Sequence, residues 1–113
     1  VSETSTIVTP LFKALNSIPG VLCLRILSGM APTKGGYIRG NEKGTFDLLA
    51  LLPSPLFMEC KLPGEKASKE QLQFLGRLKR MGVEGIFVFS VHEGIEAVRK
   101  RIQPQPEQKE LFP

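Results

Sequence analysis

The sequence predicts one α/β domain: a mixed β-sheet flanked by helices, in the order α-β-(β)-β-β-α-β-α. Three observations predict it. Apolar residues recur at helical spacing near the start of the chain, over residues 68–81 and over residues 92–102. Short apolar runs rich in strand-forming residues lie between those segments. Glycine and proline punctuate the junctions. A sheet with helices packed on it is the layered solution for such an alternation. The 113 residues are the length of one domain and suffice for one core.

Ile7, Val8, Leu11, Phe12, Leu15 and Ile18 form the stripe of the first helix. Pro10 interrupts it, so either the helix begins at Thr9 with Pro10 in its first turn, or a longer helix is kinked there. Pro19 and Gly20 end it. Residues 21–28 read as a strand. Residues 29–44 hold five glycines and a proline and read as a loop, with a short strand possible at 37–39. Residues 46–52 and 56–62 are two apolar runs separated by Pro53, Ser54 and Pro55, which is a hairpin pattern. Ser68 opens a helix with apolar positions Leu72, Phe74, Leu75, Leu78 and Met81, and Gly82 stops it. Residues 86–91 read as a buried strand. Residues 92–102 read as a last helix with Ile95, Val98 and Ile102 on one face. Residues 103–113 hold three prolines and form a separate tail, leaving 1–102 as the domain.

Composition narrows the function classes. Hydrophobic residues make up 42% and charged residues 23%, as in ordinary folded domains. No apolar run approaches the roughly 18 residues that span a membrane, and the first ten residues lack the pattern of a secretory signal. Cys23 and Cys60 sit in apolar runs and read as reduced core residues. Two cysteines and one histidine cannot close a zinc site. The expected compartment is the cytoplasm. The net charge of +4 tilts modestly toward polyanionic partners.

The chemistry-bearing residues cluster on the hairpin. Folded about Ser54, it sets Asp47 opposite Lys61. Glu59, two residues back, shares the face of Lys61. A register offset would bring Asp47 close to Glu59 as well. Two carboxylates and an amine among Leu, Phe, Met and Cys are costly to bury unless they pair or bind metal. Mg²⁺ or Mn²⁺ prefers such oxygen donors. The same D-x₁₁-E-x-K pattern reads equally as a cross-strand ion pair at a sheet end.

Two neighbouring features bear on that choice. Gly44 precedes Asp47 by three residues and permits either a turn or a close approach. Ser68 and Gln71 form the pattern of a capping box, while Gln71 also falls on the helix stripe with Phe74, Leu75 and Leu78. Gln71 therefore serves as a cap, as a site residue, or as both. His92, at a strand-to-helix junction, reads as a cap or surface residue.

The run from Gly40 to Ala50 containing Gly44, Thr45 and Asp47, then Met58-Glu59-Cys60-Lys61, then Gly64, Ser68 and Gln71, resembles the VRR-NUC domain of the PD-(D/E)XK nuclease superfamily. That family includes small stand-alone phage and bacterial proteins and the nuclease domain of the Fanconi-associated nuclease. The resemblance implies a restriction-endonuclease-like fold. It implies Asp47, Glu59 and the backbone carbonyl of Cys60 as ligands of Mg²⁺ or Mn²⁺, Lys61 as the catalytic lysine and Gln71 as a supporting site residue. It also implies an acidic residue of the first helix at the metals, for which Glu3 is the candidate. The family usually has proline where Phe46 stands, which predicts a small change of loop geometry.

The resemblance further implies a structure-selective endonuclease that cuts four-way DNA junctions as a homodimer. Leu51, Leu52, Leu56 and Phe57 are candidates for a dimer contact, with ordinary core as their other reading. Lys34, Arg39, Lys43, Lys66 and Lys69 are the candidate contacts to branched double-stranded DNA, with the basic residues of the second helix read as a solvated face. Two other readings stand beside this one: a flap-cutting nuclease or non-cutting branched-DNA-binding module of the same fold, and an interaction protein whose charges are plain ion pairs.

Overall fold

A computed structural model describes residues 2–102, apart from the side chains of 30–33 and 37–39; the tail 103–113 lies outside the described residues. The first helix, α1, comprises a π turn over Thr4–Val8 that runs directly into an α-helical part, Thr9–Asn16. The interruption at Pro10 is thus resolved as a longer helix. The N–H of Thr9 donates to the carbonyl of Thr4, the wide spacing of a π turn. Pro10 has no N–H to donate, and its ring crowds the preceding turn of a regular α-helix. The wider turn accommodates both, and Glu3 stays helical with φ −56° and ψ −42°.

The remaining elements are β1 (Leu22–Arg25), β2 (Met30–Thr33), β3 (Gly36–Arg39), β4 (Leu48–Leu52), β5 (Ser54–Cys60), α2 (Lys69–Arg80), β6 (Glu84–Val88) and α3 (Val91–Ile102). The strands at 21–28 and 86–91 are therefore shorter or shifted relative to their apolar runs. The glycine-rich stretch holds two strands, not one: β2 and β3 form their own antiparallel pair. Residues 30–33 (Met-Ala-Pro-Thr) carry neither alternation nor strong strand formers, so pairing with β3 decides their conformation.

The main sheet has the order β1-β4-β5-β6, antiparallel except for the parallel β5–β6 pair. The β4–β5 register sets Leu48 opposite Met58 and Leu52 opposite Ser54. The hairpin therefore pivots on Pro53, not on Ser54. Continued by one position, the register brings Asp47 opposite Glu59, where the sequence pattern placed Lys61.

On one face, α1 and α3 pack on the sheet over a core that includes Leu11, Leu15, Leu48, Met58, Val88 and Val98. On the other face, α2 lies over an aromatic cluster. Phe46 stacks 5.1 Å from both Phe74 and Phe87, and Phe57 meets Phe74 edge-on at 5.4 Å. Phe46 is fully buried, so it anchors the approach to β4 under α2. Cys23 and Cys60 are free and buried, as their apolar surroundings predict. Burial pushes the Cys23 thiol up to about 11. Among the described residues, no helix is long and apolar enough to cross a membrane.

Candidate metal centre

Three elements deliver one carboxylate each to one end of the sheet. Asp47 comes from the approach to β4, Glu59 from β5 and Glu3 from the first turn of α1. One ligand oxygen from each lies within 4.8 Å of the other two. Hairpin register alone brings Asp47 and Glu59 together. Glu3 arrives because Ile7, Leu11 and Leu15 bury α1 on the sheet and the π turn carries the helix past Pro10.

Backbone amides hold the pair on the hairpin. The Cys60 N–H donates to Asp47 Oδ2 at 2.9 Å, and the Asp47 N–H donates to Glu59 Oε1 at 3.2 Å. The other oxygen of Glu59, Oε2, accepts from Gln71 Nε2 at 2.8 Å. Gln71 also completes the capping box of α2. Its N–H donates to Ser68 Oγ at 3.1 Å, and its Oε1 accepts from the Ser68 N–H at 2.9 Å. The two roles read from the sequence coexist because an amide side chain has separate donor and acceptor ends. One side chain thereby ties the start of α2 to a carboxylate of the site.

Gly44 sets the loop that carries Asp47. Its φ is +93°, and a Cβ there would sit 2.6 Å from the backbone of Glu70. The close approach is thus to the first turn of α2, and it presses the Asp47 loop against the helix that bears Gln71. Thr45 closes the turn, donating through Oγ1 to the Glu42 carbonyl at 2.7 Å.

Lys61 follows β5, and its N–H donates to the Val88 carbonyl at 2.9 Å. The side chain is only 7% exposed, yet its amine forms no ion pair within 4.0 Å among the described residues. Its charge nonetheless acts on all three carboxyls and opposes their protonation. A plain cross-strand ion pair, the alternative reading of the pattern, is therefore not what the geometry contains.

Crowding of the carboxyls is visible in their acidity. Glu59 is raised from 4.5 to about 8, first by burial and then by the adjacent Asp47 charge, with Lys61 opposing. Glu3 is raised to about 7 by burial and by the neighbouring Glu65 carboxyl. Asp47 is also raised by burial, against the pull of the Cys60 N–H. Three oxygen donors whose joint ionisation is this costly, with polar groups already fixing two of them, are a hard-cation donor set. The residues present fit Mg²⁺ or Mn²⁺. The Cys60 backbone lies between Glu59 and Lys61 at this site, and its N–H is the group seen bonding to Asp47.

Two residues at the site were not singled out from the sequence. Glu65 accepts from the Leu62 N–H and interacts with Glu3, which holds its own carboxyl low. The available signal was a carboxylate one turn beyond Lys61, after Pro63 and Gly64. Arg25, on β1, contributes positive charge at Asp47 and reaches toward Thr9 Oγ1 at 3.4 Å. Its signal was a lone charge within an apolar strand.

The candidate DNA contacts scatter more widely. Lys34 is exposed in the β2–β3 turn. The side chain of Arg39 lies outside the described residues. Lys43 is exposed and 4.0 Å from Glu70. Lys66 and Lys69 are exposed just before and at the start of α2, close in sequence to Gln71. His92 is exposed in the first turn of α3, a surface position. Of the four apolar candidates for a dimer contact, Leu52 and Leu56 are core residues, which leaves Leu51 exposed and Phe57 part-buried. The corrected register explains the split: Leu52 and Leu56 fall on the α1/α3 face and Leu51 and Phe57 on the other. Compared with known proteins, the chain matches no family model, no curated protein and no solved structure.

Proposed function

We propose that this protein is a Mg²⁺- or Mn²⁺-dependent endodeoxyribonuclease of VRR-NUC type, with a restriction-endonuclease-like fold, acting on branched double-stranded DNA. The observation that carries the reading is the convergence of Glu3, Asp47 and Glu59 beside a buried lysine that is paired with none of them. A structural cluster of this kind destabilises the fold without return, whereas a cation-binding site requires it.

Glu3, Asp47 and Glu59 would hold the cation. Bound there, it would lower the pKa of a water and offset charge on the scissile phosphate. The chain's own groups supply the rest. Gln71 and the Cys60 N–H fix the carboxylate oxygens so that no reorganisation is needed when substrate arrives. Lys61, buried, in no ion pair and acting by its charge on all three carboxyls, would orient the attacking water or neutralise a phosphate oxygen.

Symmetric cutting of a four-way junction calls for two copies. Support comes from the open part of the sheet on the α2 side. Leu22, opposite Leu51, is 52% exposed, Leu24 is 43% and Leu51 is 39% exposed. Adjacent large apolar residues exposed on one sheet face mark an interaction surface.

The test is incubation with a labelled four-way junction, a flap and a linear duplex, in Mn²⁺, Mg²⁺ or EDTA. Metal-dependent cleavage of the junction is expected. Preference for the flap would move the activity to the flap-cutting class. Binding without cleavage would make the protein a branched-DNA-binding module, and no metal-dependent cleavage of any substrate would falsify the nuclease reading. Lys61→Ala is expected to abolish cutting and leave junction binding within about threefold of wild type, since one phosphate contact contributes a small part of the total.

A further inference from the structure

The outer face of α2 has a feature that neither the fold nor the metal centre accounts for. Lys69, Leu72, Gln73, Gly76, Arg77 and Arg80 line a shallow groove of about 620 Å³ on the solvent side of the helix. The positions 69, 73, 76 and 80 fall on one helical stripe. Its floor is a glycine in the helix interior, where glycine is disfavoured. Packing does not require it. A Cβ at Gly76 would meet only the tip of the Arg80 side chain, at 3.6 Å, which is ordinary contact. Gly85, by contrast, has a packing reason, because a Cβ there would sit 2.8 Å from the Leu78 side chain across the α2–β6 contact.

Charge on this face is one-sided. The only acid in α2 is Glu70, and it lies toward Lys43. Lys69 and Arg80 have no ion pair among the described residues, and Arg77 has only a loose, exposed one to Glu42 at 3.9 Å. A bare helix surface flanked by three cations admits a bulky anionic chain close to the backbone.

We propose that this face of α2 is a docking track for the phosphate backbone of double-stranded DNA, leading away from the metal centre. This inference rests on the nuclease reading for what lies at the other end of the track. Lys69 stands two residues from Gln71, which bonds to Glu59. Arg77 and Arg80 lie about 12 and 16 Å farther along the axis at 1.5 Å per residue. The B-DNA major groove is about 12 Å wide, comparable to the axial span from Lys69 to the two arginines, so a duplex lying along this face meets all three cations with its phosphates. The absence of aromatic residues from the groove favours a duplex over a single strand, which would use stacking platforms.

Binding of a labelled duplex by the full chain, followed by anisotropy across a salt series in Mg²⁺ with Lys61→Ala as background, tests the track. Arg77→Ala with Arg80→Ala is expected to weaken binding at least tenfold and to flatten the slope of log K against log salt by about 1.8, two phosphates' worth. Gly76→Leu is expected to weaken binding at least fivefold with the slope unchanged, while its thermal midpoint equals or exceeds that of the parent. Lys13→Ala and Lys100→Ala, on the helices of the opposite layer, are expected to leave the slope unaltered. An unchanged slope in the arginine pair overturns the track, as does a Gly76→Leu protein that loses binding and thermal stability together. Tighter binding of polyglutamate than of duplex would make the groove a site for acidic protein segments and overturn the choice of DNA. If the wild-type chain cuts junctions but the arginine pair leaves the slope of the Lys61→Ala background unchanged, the track is lost and the nuclease is kept. If the wild-type chain never cuts but the slope change appears, the nuclease is lost and the track is kept.

Discussion

In the metal-free protein, Glu59 should link stability to pH in the direction opposite to ordinary acid denaturation. A carboxyl whose proton is held more tightly in the folded state stabilises the fold at low pH. That contribution is complete below the unfolded value of 4.5 and is lost as pH rises through the folded value of about 8. Each pH unit inside this window costs at most about 1.4 kcal/mol per group. Between about pH 5.5 and about pH 8 the loss from Glu59 is therefore at most about 3 kcal/mol. For a domain of this length, 1 kcal/mol moves the thermal midpoint by about 4 °C, so a fall of up to about 12 °C in EDTA is expected across the window. A bound divalent cation replaces the proton. Mn²⁺ should thus restore the midpoint at the upper pH and do little at the lower, with proton release measurable by calorimetry in buffers of different ionisation heat. Glu59→Gln should flatten the pH dependence and abolish most of the Mn²⁺ response. A midpoint that is flat or rises from pH 5.5 to 8 in EDTA, or a Mn²⁺ shift equal at both ends, refutes the reasoning.

Other perturbations separate the parts of the site. Gln71→Ala removes one half of the capping box and the hydrogen bond to Glu59, and should cost about 1–2 kcal/mol in chemical denaturation. Gln71→Glu keeps the capping oxygen but sets a fourth carboxylate against Glu59, so metal affinity by calorimetry should fall while the helicity of α2 is kept. Gly44→Ala meets both a φ of +93° and the Glu70 backbone; a loss of about 2–4 kcal/mol is expected in urea. Leu24→Asp with Leu51→Asp should turn a dimer into a monomer by light scattering without lowering the thermal midpoint of the monomer, because both side chains are already exposed.

The helices were readable because a stripe at 3.6-residue spacing and a capping box are local signals. Ser68 and Gln71 mark the start of α2 in the sequence and do so in the structure. β2 was not readable, because residues 30–33 have no pattern of their own and take strand geometry only from their partner. The hairpin was readable but its pivot was not. Pro53, Ser54 and Pro55 all suit a turn, and which of them is the pivot depends on which faces of β4 and β5 meet α1 and α3.

The sequence by itself determined the donors: two carboxylates and a lysine on one hairpin, an amide at the start of the next helix, and the residue types a hard cation takes. The tertiary structure decided how they meet. Asp47 opposes Glu59 because the register pivots on Pro53. Lys61 stands apart from an ion pair, and Gln71 serves cap and carboxylate at once. Glu3 reaches the others across 44 residues of chain because a π turn carries α1 past Pro10 and the apolar stripe seats that helix on the sheet. Spacing along a chain encodes local geometry, whereas convergence of separate elements is set by the layer packing that buries their apolar faces.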